Sequence, residues 1–228
     1  MPMSDSLILQ KPAGHAQQLI LLFHGVGAGP QDMVPLGQRL AREFPQAFIV
    51  SVRSPQECDF SAGYQWFSVR DVDEGNRAAR VAAALPAFIH QVRLWQQASG
   101  ASIESTALVG FSQGAIMALE AAQAEPHLAG RVIAFAGRYA QLPTTAPERT
   151  TLHLFHGKQD DVIHYSHTVH AAERLVQLGA DLTADVVPFT GHGISDELQD
   201  LLVERLRGHV PKHVWDEALR SDPSQGGS

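Results

Sequence analysis

The sequence predicts an α/β fold built on a mostly parallel, twisted sheet with helices on both faces. Short, nearly continuous apolar runs alternate along the chain with longer stretches of helical period. Such runs are typical of parallel strands that are buried on both faces. The chain has 228 residues, 44% of them hydrophobic, which is enough for one sizeable core. We therefore expect a single domain over residues 1–220 and a disordered tail over residues 221–228, where Ser, Gly and Pro are frequent.

The alternation places each element in order along the chain. The predicted strands are Leu19–Phe23, Ala47–Val52, Thr106–Phe111, Val132–Ala136, Thr151–Phe155 and Ala184–Phe189, with Leu7–Gln10 as an additional edge strand. The predicted helices are Met33–Glu43, Asn76–Ser99, Gln113–Ala124, Ser166–Leu178, Ser195–Arg207 and Val214–Arg220. The connection 54–75 is unusually long, which is typical of a functional loop, and its aromatic residues indicate a packed loop over a site.

Composition excludes several classes of protein. With 17 basic and 24 acidic residues the formal net charge is −7, so a nucleic-acid surface is not expected. The single cysteine, Cys58, excludes an intramolecular disulfide and a cysteine-based zinc cage. The apolar run Leu19–Phe23 is far too short to cross a bilayer, so we expect no stable membrane insertion. The N-terminal residues do not read as a signal peptide, and the expected location is the cytoplasm.

A candidate nucleophile lies in the segment Gly110-Phe111-Ser112-Gln113-Gly114, which matches G-x-S-x-G. The segment falls between a predicted buried strand and a predicted helix, the setting in which a tight turn presents a serine hydroxyl at the sheet edge. Ser112 could alternatively be only a helix N-cap, but a cap needs no glycines on both flanks. We therefore predict Ser112 as the nucleophile.

A nucleophilic serine needs a base and a carboxylate, which in this setting follow it in the order acid, then histidine. His192 lies between two glycines, just after a predicted strand and just before a predicted helix. Asp160 and Asp161 both follow the preceding strand, and either could orient an imidazole. The residues alone predict His192 as the base and leave the two aspartates as alternatives.

The negative charge that develops on the substrate carbonyl needs two backbone N–H donors. One is predicted at Gln113, which follows the nucleophile. The other is predicted at Val26, in the glycine-rich loop 24–30 after the first central strand. That loop lacks the Gly-Lys-Ser/Thr ending and the GxGxxG pattern of phosphate-binding loops. His24, in the same loop, is interpreted as a structural anchor.

These motifs together resemble the phospholipase/carboxylesterase family of α/β-hydrolases. The segments that carry the resemblance are His24-Gly25-Val26-Gly27, Gln65-Trp66-Phe67, Gly110–Gly114, His156-Gly157-Lys158-Gln159-Asp160 and Gly191-His192. They occur in the family's order, and the likeness runs from about Leu19 to Arg207. The resemblance implies an α/β-hydrolase fold without a large cap domain, places the acid at Asp160, and implies no metal and no cofactor. It departs from the thioesterase members at Ala28-Gly29-Pro30, where those proteins usually carry an aspartate.

The predicted function is that of a serine carboxylesterase acting on small carboxylic esters. No long insertion follows Ser112, so the substrate walls must come from the loop 54–75 and its neighbours. The residues predicted to line the substrate are Phe60, Tyr64, Trp66, Phe67, Phe111 and Ile163. An open cleft of this kind favours short to medium acyl chains.

Other functions are left open. An acyl-protein thioesterase or a lysophospholipase is the nearest alternative within the resemblance, and a catalytically silent hydrolase fold used as a small-molecule receptor is a more distant one. His164, His167 and His170 share one helix face and could suggest a metal site, but no further ligand joins them at a familiar spacing. A homodimer is also left open.

Overall fold

The computed structural model describes residues 5–220, and the tail predicted over 221–228 lies outside them. The strands are β1 (Leu7–Gln10), β2 (Gln18–Phe23), β3 (Ala47–Val52), β4 (Gln56–Glu57), β5 (Tyr64–Gln65), β6 (Thr106–Phe111), β7 (Arg131–Phe135), β8 (Thr151–Gly157) and β9 (Asp181–Val187). The helices are a 3₁₀ turn (Pro30–Met33), α1 (Val34–Glu43), α2 (Arg77–Ser99), α3 (Gln113–Ala124), α4 (Ser166–Gln177), α5 (Asp196–Gly208) and α6 (Lys212–Arg220).

Seven strands form the central sheet in the order β1-β3-β2-β6-β7-β8-β9. Of the strands of this sheet within residues 5–220, β1 alone runs antiparallel to its neighbour, and the other pairs are parallel. The interior strands β2, β3, β6, β7 and β8 are almost wholly buried, as the continuous apolar runs predict. The mostly parallel α/β sheet predicted from the sequence is confirmed.

Helices cover both faces of the sheet and divide the core into two layers. On one face α2, α3 and α4 pack over the sheet, with α3 buried along nearly its whole length. On the other face α1 and α5 contribute Leu36, Leu40, Leu198 and Leu202 to the second layer. Within residues 5–220, none of the helices combines the length and the apolar composition that crossing a bilayer requires.

The largest shift in a strand boundary occurs at the sheet edge. The sequence predicts a strand over Ala184–Phe189, whereas β9 spans Asp181–Val187 and includes two polar residues at its start. Because β9 pairs on one side only, its residues are half-buried, and Asp181 accepts a hydrogen bond from Thr151 at 2.6 Å. An edge strand can therefore begin on polar residues that an apolar pattern does not reveal.

Parallel strands bring their carboxyl ends to one edge of the sheet, and β2, β6, β8 and β9 all end there. The start of α3 packs directly against the end of β2 at this edge. A Cβ atom on Gly114 would overlap the carbonyl group of Phe23, which belongs to the backbone and cannot rotate away. The glycine thus permits a close approach of helix and strand that any side chain would prevent.

We expect Gly114→Ala to lower the free energy of unfolding by at least about 2 kcal/mol, because the added methyl group meets backbone and not a flexible side chain. Gly208→Ala is the matched control, since a Cβ there meets no atom within 4 Å. The control should change stability by less than about 0.5 kcal/mol. Urea denaturation of both variants measures the difference, and equal effects would contradict the close approach.

Candidate active site

Ser112 occupies a strained turn between β6 and α3. Its φ of 52° and ψ of −115° lie outside the regions that L-residues ordinarily adopt. The turn is held because the Ser112 amide donates to the carbonyl of Phe135 at 2.9 Å and its carbonyl accepts from the amide of Ile116 at 3.1 Å. A cost of about 1–3 kcal/mol is typical of such a backbone. This strained turn places the Ser112 hydroxyl at the edge of the sheet where the parallel strands have their carboxyl ends.

His192 connects the serine to a carboxylate. Its Nε2 atom lies 3.0 Å from Ser112 Oγ, and its Nδ1 atom lies 2.8 Å from Asp160 Oδ2. Because a carboxylate only accepts, the ring proton is on Nδ1, and Nε2 is free to accept the serine proton. Phe111 packs against the imidazole with the ring centroids 5.0 Å apart. The three side chains form a continuous hydrogen-bonded series.

The structure brings Asp160, and not Asp161, to His192. The Asp160 side chain is fully buried, and its second oxygen accepts from the amides of Val162 at 2.9 Å and Ile163 at 2.8 Å. Burial alone raises the pKa of Asp160, but the hydrogen bonds from His192 and from the two amides outweigh it, so the pKa lies below its usual value. Asp161 is exposed to solvent. The carboxylate beside His192 is therefore held ionised.

A second histidine contacts the same carboxylate. His156 is fully buried, and its Nε2 atom lies 3.1 Å from Asp160 Oδ2 and 2.7 Å from the carbonyl of Ile163. The Thr168 hydroxyl lies 2.7 Å from Nδ1 and donates to it, because Nε2 must carry the proton. Burial lowers the pKa of His156, which keeps it neutral. From the sequence, His156 is only the first residue of one of the motifs, and no contact with Asp160 is predicted for it.

The two residues predicted to donate to the oxyanion lie at the cavity of the serine. Val26 and Gln113 line the same cavity as Ser112. The loop that carries Val26 is fixed by the Gly27 amide, which donates to the carbonyl of Tyr64 at 2.8 Å. Gln113 is the first residue of α3, so its amide also lies at the positive end of the helix dipole. This is the neighbourhood in which an oxyanion could be stabilised.

Gln113 also anchors the aromatic loop to the turn. Its side-chain oxygen accepts from the amide of Trp66, and its side-chain nitrogen donates to the carbonyl of Phe67, both at 2.7 Å. Trp66 donates from its indole nitrogen to the carbonyl of His24 at 2.9 Å. The His24 ring is itself buried, accepts from the amide of Ser54 at 3.2 Å and has its pKa lowered by burial. His24 therefore acts in the structure as an anchor of the loop.

Trp66 does not line the cavity. It is only 2% exposed and packs against Phe23 and Phe88, with ring centroids 5.5 Å and 5.2 Å away. The expectation that it forms a substrate wall is corrected, because its large apolar ring fills the core beneath the loop. The next residue, Phe67, does line the cavity, and nothing in the local sequence distinguishes the two aromatic residues.

The other predicted lining residues divide into two groups. Phe67 and Ile163 line a cavity of about 200 Å³ at Ser112, and Phe111 lines a second cavity of about 340 Å³ beside Gly193 and Ile194. Phe60 and Tyr64 line neither of these cavities. Phe60 is 69% exposed beneath the guanidinium of Arg70, and the Tyr64 ring lies 4.7 Å from the guanidinium of Arg53. Both predictions are corrected, because these rings pack against arginines at the loop surface.

Sequence reasoning missed two charged residues in the cavity at Ser112. Arg77 at the start of α2 and Arg138 after β7 both line it. They come from segments 61 residues apart that share no motif, so no local pattern predicts their meeting.

No three His, Cys, Asp or Glu side chains between residues 5 and 220 assemble into a group that could hold a metal ion, so His164, His167 and His170 form no such site there.

Comparison with known proteins identifies relatives over nearly the whole chain. The profile of the phospholipase/carboxylesterase family matches residues 5–207. The esterase YpfH of Escherichia coli is 51% identical over 215 residues, which cover 94% of this chain and 93% of that protein.

Solved structures agree in fold. Esterase PE8 superposes with a TM-score of 0.82 at 29% identity, covering 90% of this chain and 99% of that one. A carboxylesterase from Mesorhizobium loti superposes with a TM-score of 0.70 at 20% identity, covering 90% and 100% of the two chains. From the family match and the extent of these likenesses, the chain belongs to the phospholipase/carboxylesterase family of α/β-hydrolases.

Proposed function

We propose that the protein is a serine carboxylesterase that hydrolyses small carboxylic esters through Ser112, His192 and Asp160. The observation that carries the proposal is the hydrogen-bonded series from Ser112 Oγ to His192 at 3.0 Å and from His192 to Asp160 at 2.8 Å. Family membership and the named esterase among the relatives support the same reaction class.

The first half of the reaction forms an acyl-enzyme. Ser112 Oγ attacks the ester carbonyl while His192 Nε2 takes the hydroxyl proton. The negative charge on the carbonyl oxygen is stabilised by the amides of Val26 and Gln113. His192 then returns the proton to the departing alcohol. Asp160 keeps the imidazole in the required tautomer and stabilises its positive charge.

The second half releases the acid. Water replaces the alcohol, His192 takes a proton from it, and the resulting attack on the acyl carbonyl passes through the same oxyanion site. Collapse of the intermediate returns the proton to Ser112 and frees the carboxylic acid. No group other than the side chains and amides named above is required for these steps.

The size of the cavity favours small substrates. The space at Ser112 measures about 200 Å³ and is walled by Phe67, Ile116 and Ile163. The partner implied is a small-molecule ester, with no nucleic acid and no stable membrane insertion. A thioesterase or lysophospholipase acting on long acyl chains is the alternative within the family. The cytoplasmic location and the homodimer remain predictions from the sequence.

Replacing the nucleophile tests the reaction. We expect Ser112→Ala to lower kcat for p-nitrophenyl acetate by roughly 10⁴–10⁶-fold, because no other group forms the acyl-enzyme. The variant should also escape labelling by a fluorophosphonate that modifies the wild-type chain. Circular dichroism and thermal melting serve as folding controls. A folded variant that keeps a tenth of the wild-type rate would contradict the assignment.

The two neighbouring aspartates provide a matched pair. Asp160→Asn should reduce kcat by about 10²–10⁴-fold, because an amide donating to His192 Nδ1 would favour the wrong tautomer. Asp161→Asn removes the same charge from an exposed neighbour and should change kcat less than about twofold. Steady-state kinetics on one p-nitrophenyl ester compares them directly. The opposite ranking would move the acid by one residue.

A series of p-nitrophenyl esters from acetate to palmitate tests the size of the acyl group. Each buried methylene contributes about 0.8 kcal/mol, but only those that fit within the cavity can contribute. We therefore expect kcat/KM to peak at short to medium chains and to fall well before palmitate. If palmitate were the best substrate, the long-chain thioesterase or lysophospholipase function would replace the one proposed here.

A further inference from the structure

The cavity at Ser112 has a cationic wall that ester hydrolysis itself does not use. Arg77 and Arg138 both line it, and their side chains are only 19% and 13% exposed. Val69 and Ile116 line the same space, so the two arginines share a partly apolar cavity. Both arginines bind Glu74 in the loop 54–75, but placing two cations on a partly apolar cavity costs desolvation, which the binding of apolar esters does not offset.

One carboxylate, that of Glu74, neutralises part of the positive charge of the two arginines. Arg138 forms a two-pronged ion pair with Glu74, at 2.9 Å and 2.7 Å, and Arg77 contacts the same carboxylate at 3.2 Å. Hydrogen bonds from Arg138, and from Arg77 more weakly, lower the pKa of Glu74 to about 2, so Glu74 is ionised at neutral pH. Two positive charges against one negative charge leave this wall with a single positive charge.

Arg77 makes fewer hydrogen bonds than Arg138. Its Nε atom is buried and has no hydrogen-bond partner among the residues that the structure describes, whereas the Nε of Arg138 donates to the carbonyl of Tyr139 at 3.2 Å. A buried guanidinium N–H without an acceptor is costly. A carboxylate matches the planar fork of a guanidinium, and Arg77 gives Glu74 only one hydrogen bond, so its guanidinium keeps donors for a ligand.

His167 adds a neutral polar group to the same lining. Burial, and then the positive charge of Arg138, lower its pKa, so it does not add a further positive charge at neutral pH. The excess of one positive charge suits a monoanion such as a carboxylate. A phosphate dianion would be left half-neutralised in a chain whose net charge is already −7.

We infer that the preferred substrates are small esters that carry a free carboxylate, with Arg77 and Arg138 as the residues that bind it. Monoesters of short dicarboxylic acids belong to this class. The inference rests on the proposed ester hydrolysis and names its substrate class. Water cleaves the ester to an acid and an alcohol as before, and the carboxylate bound at the arginines is unchanged by the reaction.

Two pairs of substrates that differ only in the charged group test the inference. Monomethyl glutarate is compared with methyl pentanoate, which has a methyl group in place of the carboxylate on the acyl side. The anion 4-acetoxybutanoate is compared with butyl acetate, which makes the same exchange on the alcohol side. Titration of the released acid at constant pH gives kcat/KM. We expect the anion to be favoured at least about tenfold in one pair, as a charge-assisted hydrogen bond allows.

Arginine variants assign the preference to this wall. Arg77→Met should lower kcat/KM for the favoured anion by about 10- to 100-fold and change it less than about threefold for the matching neutral ester. Arg93→Met is the control, because Arg93 lies on the same helix, pairs with Glu125 at 3.2 Å and does not line the cavity. Glu74→Gln, which removes the competing carboxylate, should keep or raise the preference for the anion.

A failure of the inferred carboxylate site and a failure of the proposed ester hydrolysis would give different results. Equal rates within both pairs, or an equal loss on anion and neutral ester in Arg77→Met, would overturn the inference while leaving ester hydrolysis intact. If Arg77→Met did not fold, the Glu74→Gln result and the wild-type comparison would still decide. If none of the four esters were hydrolysed, the proposed function would fail. Binding of monomethyl glutarate against methyl pentanoate to the wild-type chain, followed by NMR shifts, would then test the anion site alone.

Discussion

The carboxylate of Asp160 is removed from water and must find its hydrogen-bond donors within the protein. It receives the amides of Val162 and Ile163 on one oxygen and lies within hydrogen-bond distance of His192 and His156 on the other. An unpaired charge at this depth would be strongly destabilising, so each donor is needed. Because these donors come from β8, the loop after it and the loop after β9, satisfying this one charge also fixes the position of His192 relative to the sheet.

Gln113 likewise connects the nucleophile turn to a second segment of the chain. The residue lines the cavity, and its side chain holds the backbone of Trp66 and of Phe67 through two hydrogen bonds of 2.7 Å. At the other end of the loop 54–75, Glu74 is bound to Arg138. The loop is therefore tied at two points to elements that carry the site. Opening the loop would break the two buried hydrogen bonds that Gln113 makes with it near the nucleophile.

The sequence predicted the mostly parallel sheet, and the structure brings the predicted Ser112 and His192 together, because both features leave local patterns in the sequence. The residues alone left Asp160 and Asp161 as alternatives, and only the family resemblance pointed to Asp160. Buried parallel strands appear as apolar runs, and Ser112 and His192 are flanked by glycines that close backbone packing requires. The lining of the cavity was predicted less well. Trp66 and Phe67 are adjacent in sequence, but only Phe67 lines the cavity, and Arg77 meets Arg138 only through the tertiary fold. Which face a loop residue presents depends on long-range packing, which no local pattern records.

The parallel order of the strands has a kinetic consequence. Ser112 and His192 are 80 residues apart in sequence, and Val26 lies a further 86 residues before Ser112. Their strands become neighbours only through crossover connections, and contacts of such long sequence separation form slowly and late. No fragment that stops short of the loop after β9 contains the whole catalytic arrangement. Recovery of activity during refolding is thus a reporter of the completed sheet, whereas helix content alone would rise earlier.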